Sequence, residues 1–242
     1  LMTLNFDLYW SVRSPYSYMA TPRLHQLQQE FDVECRVRPV LPHALRDPGA
    51  VGRRNALWLN YFKRDVLRTA EFLGLPIKWP SPDPVATDPA SGAVLSEQPY
   101  VHHLTRMVAA ADARSRGLSF IHELSGVLWS PEVLNWTASG VLDGVCKRAG
   151  LDLNDLEADA KVNAEHYDKE IARNDALEHS AGHWGVPVMV FEDEPFFGQD
   201  RIDQLIWRLK MRGMRARAPA SAQQRSESFG ALRRGETRRV ER

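Results

Sequence analysis

Ser14-Pro15-Tyr16-Ser17 places two hydroxyls at the spacing at which a Cys-x-x-Cys pair would place two thiols. A serine hydroxyl has no accessible thiolate and forms no disulfide, so dithiol exchange is excluded at this position. What it can do is donate a hydrogen bond to a thiolate carried by another molecule, lowering that thiol's pKa and readying its sulfur for attack. The chain's two cysteines, Cys35 and Cys146, form no such motif and read as buried, reduced thiols rather than as a disulfide or a zinc site. Two later segments carry candidate ligand contacts. Gly185-Val186-Pro187 offers a residue before proline whose backbone can pair with an extended ligand. Phe197-Gly198-Gln199-Asp200-Arg201 combines a glycine that permits close approach with a carboxylate that can cap a helix or receive an ammonium group. Each has a plainer reading: Ser14 and Asp200 as helix caps, Val186-Pro187 as an ordinary strand entry.

The elements that must position these residues follow from periodicity. Residues 4–10, LNFDLYW, alternate as a strand does. Ser14 and Pro15 then open a helix whose apolar face carries Ala20, Leu24 and Leu27. Residues 33–38, VECRVR, read as a second strand, which completes a βαβ unit with parallel pairing. From about residue 43 to 180 the pattern is helical. One helix runs through Leu59, Phe62 and Val66 and ends near Gly74, and others are expected at 99–116, 119–129, 140–149 and 160–180. Residues 75–98, rich in proline, serine and aspartate, read as a long surface loop. Val186 to Phe191 and Pro195 to Phe197 are two short strands around a turn at Glu192-Asp193-Glu194. A last helix follows, with Ile202, Leu205, Ile206 and Leu209 on one face and Asp200 and Asp203 as its capping pair.

Together these elements predict an α/β fold, a thioredoxin fold (βαβ plus ββα) interrupted by a large all-helical insertion. The thioredoxin-like domain takes residues 1–42 and 181–210 and the insertion takes 43–180. Residues 211–242 form a basic tail, expected to be disordered because its many arginines come with few apolar residues. In this architecture the chemistry sits at the N-terminus of the first helix, where orphan N–H groups and the helix dipole favour an anion. Hydrophobic residues make up 43% of the 242 and the formal net charge is zero, which fits a globular protein and gives no electrostatic reason to expect nucleic acid. No apolar run approaches the ~18 residues of a membrane span, and the first residues lack a secretory pattern, so a cytoplasmic location is expected.

SPYSY, GVP and FFGQDR, in this order and at these separations, resemble the family of 2-hydroxychromene-2-carboxylate isomerases and kappa-class glutathione transferases. Asn60 to Asp65, followed by Gly74-Leu75-Pro76, is similar to that family's Tyr-x-x-x-Asp helix and its exit. The resemblance implies glutathione as cofactor, with Ser14 hydrogen-bonding its sulfur. It implies backbone pairing at Val186 with the cysteinyl part, and contacts from Phe197, Gly198, Gln199 and Asp200 with the γ-glutamyl end. It further implies that the thiolate adds to a conjugated carbon of an aromatic-degradation intermediate, permits rotation and is eliminated again, and that the enzyme is a homodimer. Three departures stand out: Ala50 and Trp58 replace an asparagine and a lysine that contact glutathione, Ser11 replaces an aspartate, and Arg13 replaces an apolar residue. Arg46, Arg53, Arg54 or Asn55 are candidates for compensating carboxylate contacts. Tyr16, Trp58, Tyr61 and Trp184 are expected to line an aromatic substrate pocket, with Arg53 and Arg54 as further substrate contacts. Besides the isomerase, two readings stay open: a conjugating transferase of the same fold, and a non-catalytic binding protein.

Overall fold

The structure, a computed structural model, describes residues 3–49 and 56–217. Its sheet has the order β2-β1-β3-β4, from β1 (Leu4–Trp10), β2 (Val33–Pro39), β3 (Val188–Phe191) and β4 (Glu194–Phe197). β1 and β2 are parallel, whereas β1, β3 and β4 pair antiparallel in turn, with Tyr9 opposite Val188 and Val188 opposite Phe197. The alternation read from the sequence is real: Phe6, Leu8 and Trp10 point into the main core with Val33, Cys35 and Val37, while Tyr9 joins Val188 and Val40 in a smaller cluster.

The helices are α1 (Pro15–Glu30), α2 (His43–Arg46), α3 (Ala56–Phe72), α4 (Val101–Asp112), α5 (Gly117–Trp129), α6 (Val141–Arg148), α7 (Leu153–Val162), α8 (Ala164–Ser180) and α9 (Ile202–Met211). The chain therefore has the predicted βαβ and ββα halves with helices between them. Those helices share one core with the sheet: Leu104, Met107, Phe120, Ile121 and Trp129 pack in the same cluster as Phe6, Leu24 and Met189. None of the described helices is long and apolar enough to cross a membrane.

Several boundaries differ from expectation. The helix expected over 99–116 stops at Asp112, whose carboxylate turns back to accept the Val37 N–H of edge strand β2 at 2.9 Å, and Ser115 beyond it takes a left-handed φ of 56°. The helix expected over 160–180 is two helices that meet at Asn163, and the first begins at Leu153 because the Asp152 side chain caps it through the Asp155 N–H at 3.0 Å. The tail was expected to be disordered from Met211, yet residues 212–217 are held. Met214 packs on the core, the Arg217 N–H donates to the Glu30 carbonyl at 2.7 Å, and the Arg217 Nε donates to the Phe31 carbonyl at 2.7 Å. The end of α1 leaves carbonyls without helical partners, and this segment satisfies them. Residues 218–242 lie outside the described residues.

Candidate functional site

β1 ends at Trp10 and the chain turns through Ser11-Val12-Arg13 into Ser14, which has extended backbone (φ −92°, ψ 118°) and caps α1. The Ser14 Oγ accepts the Ser17 N–H at 3.1 Å, and Pro15 occupies the first helical position. The hydroxyl proton of Ser14 points across the fold to the Val186 carbonyl at 3.4 Å. That is long for an O–H···O bond, whose usual range is about 2.5–3.0 Å. Ser17, the other oxygen of the motif, is fully buried and its hydroxyl has no partner, so only Ser14 meets a ligand side.

Val186 is held there by the sheet. Val188 pairs with Tyr9 of β1, the Val186-Pro187 bond is cis, and the Pro187 carbonyl accepts the Gly198 N–H at 2.9 Å. Ser14, Val186 and Gly198 are therefore brought to one end of the sheet. Gly198 has φ 101°, a value only glycine adopts readily, and a short 3₁₀ turn (Gln199–Arg201) follows it. That turn overrules the expected capping. The Asp200 carboxylate pairs with Arg201 at 2.7 Å and stays exposed, α9 starts without a side-chain cap, and Asp203 pairs with Arg23 at 2.6 Å. Gln199 offers its carbonyl to Arg23 at 3.4 Å, which ties the loop to α1.

The expected aromatic pocket divides into two groups. In the first, Tyr16 meets Phe62 edge-on at 5.9 Å, Trp58 stacks on Phe62 at 5.1 Å, and Trp79 lies 6.2 Å from Phe62. The Tyr16 and Tyr61 hydroxyls both donate to Asp65, at 2.5 and 3.3 Å, and Arg68 donates to the same carboxylate at 2.6 Å. Burial and the Asp65 hydrogen bond push the Tyr16 phenol far up. Burial alone would raise Asp65, but the bonds from Tyr16 and Arg68 overturn that and hold it below the usual carboxylate range. Trp184 belongs to the second group, 4.7 Å from His43 and stacked near His183, which in turn stacks on Phe197 at 3.8 Å. Among the described residues no ring contact joins the two groups. Sequence reasoning missed Phe62, Trp79 and His183; Trp58 and Phe62 stand four apart on one helix, a spacing that could have flagged the pair.

Two arginines near the site are committed to acids. Arg13, beside Ser14, makes a bidentate pair with Asp83 at 2.7 Å. Arg46, expected as a carboxylate contact, is instead 10% exposed and donates to Asp175 at 2.6 Å and to the fully buried Glu178 at 2.8 Å. Burial still raises Glu178 to about 7. Ala50, Arg53, Arg54 and Asn55 lie outside the described residues, and no metal-binding cluster occurs among the described residues.

The sheet order β2-β1-β3-β4, with α1 joining the parallel pair and α9 closing the antiparallel one, defines a thioredoxin-fold protein, and the family model of the DSBA-like thioredoxin domain matches residues 5–210. The chain belongs to that family. It is 24% identical over 212 residues to the 2-hydroxychromene-2-carboxylate isomerase of Pseudomonas putida, covering 82% of this chain and 91% of that one. A solved 2-hydroxychromene-2-carboxylate isomerase structure superposes with TM-score 0.59 at 22% identity, over 86% of this chain and 95% of that one. The cytosolic disulfide reductase DsbM from Pseudomonas aeruginosa, solved with GSH, superposes with TM-score 0.52 at 14% identity, over 98% of this chain and 100% of that one.

Proposed function

We propose that the chain is a glutathione-dependent isomerase of an aromatic-degradation intermediate such as 2-hydroxychromene-2-carboxylate. The observation that carries this reading is the Ser14 hydroxyl at the N-cap of α1, facing the Val186 carbonyl at 3.4 Å across the cis proline. The isomerase relatives and the GSH-bound structure of the same fold support it.

The residues present fit glutathione. The long Ser14 bond leaves a proton that turns readily to an incoming sulfur, and Val186 is partly exposed beside it. Gly198 is hydrogen-bonded to Pro187, and the Asp200 carboxylate folded over it is exposed and paired with Arg201; an ammonium group could be received there in competition with that arginine. Bound glutathione would supply a nucleophilic sulfur. Ser14 would hold that sulfur as thiolate by donating its hydroxyl proton, with the N-terminal amides of α1 adding positive potential. The Val186 backbone would align the cysteinyl unit as an added strand. Trp58, Phe62 and Tyr16 would flank a planar substrate on the α3 side. The test is turnover of 2-hydroxychromene-2-carboxylate followed by absorbance, with glutathione at one-hundredth of the substrate concentration. Complete conversion with glutathione recovered supports the isomerase; consumption of one glutathione per substrate makes it a transferase, and no turnover with no binding rejects the reading.

A further inference from the structure

His183 stands three residues before Val186 and has no part in the chemistry assigned above. Its ring lies face to face with Phe197 at 3.8 Å, and its Nδ1 accepts the Gly185 N–H at 2.8 Å. Gly185 is buried in the angle between the two rings: a Cβ there would stand 3.0 Å from the Phe197 ring and 3.1 Å from the His183 ring. The amide immediately before Val186 is thus clamped by one imidazole. Accepting an N–H also fixes the tautomer, with the proton on Nε2 and the lone pair on Nδ1.

We propose that His183 is a positioning residue for the Val186 backbone that faces Ser14, and that protonating its imidazole releases this backbone and weakens ligand binding there. The inference rests on the glutathione reading of the site. An imidazolium has no lone pair at Nδ1, so the Gly185 N–H would face a donor and that hydrogen bond would be lost. The stack around the ring contains Phe197 of β4, Trp184, and His43 of α2 on the far side of Trp184; among the described residues His43 is the other titratable group in these ring contacts. Burial lowers the His183 pKa, so the clamp is closed at neutral pH and opens in acid.

The experiment measures calorimetric affinity for S-methylglutathione, whose sulfur does not titrate, from pH 7.5 to pH 5 in wild type, His183→Asn and His183→Phe. Nitrogen-15 spectra follow the His183 ring and the Gly185 amide over the same range. Asparagine can keep an acceptor near the Nδ1 position without titrating, and phenylalanine keeps the stack without an acceptor. The expected result is a wild-type affinity that falls about three- to tenfold toward acid, the factor that one hydrogen bond supplies. His183→Asn should be flat with pH, His183→Phe weak throughout, and the Gly185 amide should titrate together with the ring. A flat wild-type profile, a His183→Phe affinity equal to wild type, or a Gly185 amide indifferent to the ring each overturns the proposal while leaving the glutathione site standing. Absence of S-methylglutathione and glutathione binding at every pH overturns the glutathione reading and this proposal with it.

Discussion

Asp112 should destabilise the fold at neutral pH while satisfying it structurally, and two substitutions separate those effects. Its carboxylate is mostly buried and accepts the Val37 N–H of the edge strand at 2.9 Å, and burial raises it from 3.8 to about 6. The folded pKa lies above the unfolded one, so the carboxyl contributes stability that is fully present below pH ~4 and is lost as the pH rises through about 6. A gap of roughly two units at about 1.36 kcal/mol each is about 3 kcal/mol of penalty once the group is ionised, an upper figure for the order of magnitude. Asp112→Asn removes the charge and keeps an oxygen for Val37. It is therefore expected to stabilise the protein by about 1–3 kcal/mol at pH 7.5 and by nothing at pH 4. Asp112→Ala also removes the acceptor, leaving an edge-strand N–H without its partner, which costs about 1–3 kcal/mol at pH 4, whereas at pH 7.5 loss of the buried charge offsets most of that cost. Urea unfolding at pH 4, 5.5 and 7.5 compares the three proteins. An Asp112→Asn difference from wild type that does not change between pH 4 and pH 7.5 would refute the reasoning.

Ser14→Ala should lose thiolate absorbance and turnover, while the lost cap costs only about 1 kcal/mol in the same unfolding assay; a loss of several kcal/mol would make Ser14 chiefly structural. Cys35 and Cys146 are buried, with both thiols pushed up by burial, Cys146 to about 11. An aromatic disulfide reagent should therefore titrate neither in the native protein and both in denaturant, and rapid native reaction would show that a cysteine competes with the serine site. Gly185→Ala drives a methyl against the Phe197 and His183 rings and should cost about 1–3 kcal/mol in thermal or urea unfolding, with weaker glutathione binding. Unchanged stability would mean that the rings part freely.

What was legible in the sequence was local. The alternation in LNFDLYW and VECRVR, the Ser14-Pro15 start of α1 and the apolar face of α9 each declare themselves within a few residues, and each is found. What stayed hidden depends on partners far along the chain. Arg13 finds Asp83 70 residues on, Arg46 finds Glu178 132 residues on, and Arg217 returns to Phe31 across 186. No periodicity carries such pairs, and so Arg46 reads from sequence as one candidate for a ligand carboxylate contact although its partners are Asp175 and Glu178. The expected Asp200 cap failed for a nearer reason: Gly198 starts a 3₁₀ turn over Gln199–Arg201, so Arg201 takes the cap position of α9 and Asp200 stands one residue short of it.

The same distinction bears on how the site is held. Ser14 and Val186 are 172 residues apart, yet their separation is set by the Tyr9–Val188 pairing and by the Gly198-to-Pro187 bond, which involve only the strands and their ends. The helical segment meets the site on the α3 side through the Tyr16–Asp65 bond and the Tyr16–Phe62 contact, and elsewhere through the Arg13–Asp83 pair and the His43–Trp184 contact. A slip of one residue between β1 and β3 would put Tyr9 and Val188 on opposite faces of the sheet, so the register that buries them together also fixes the Ser14 hydroxyl against Val186. Changes in α3 or the residues beside it can therefore reshape the aromatic side of the site without moving the serine. Replacing Phe62 or Trp58 by alanine is expected to raise KM for an aromatic substrate and leave the glutathione affinity near wild type, whereas Gly185→Ala should do the reverse. Equal losses of both in every variant would mean that sheet and insertion move as one, and the division of labour would fail.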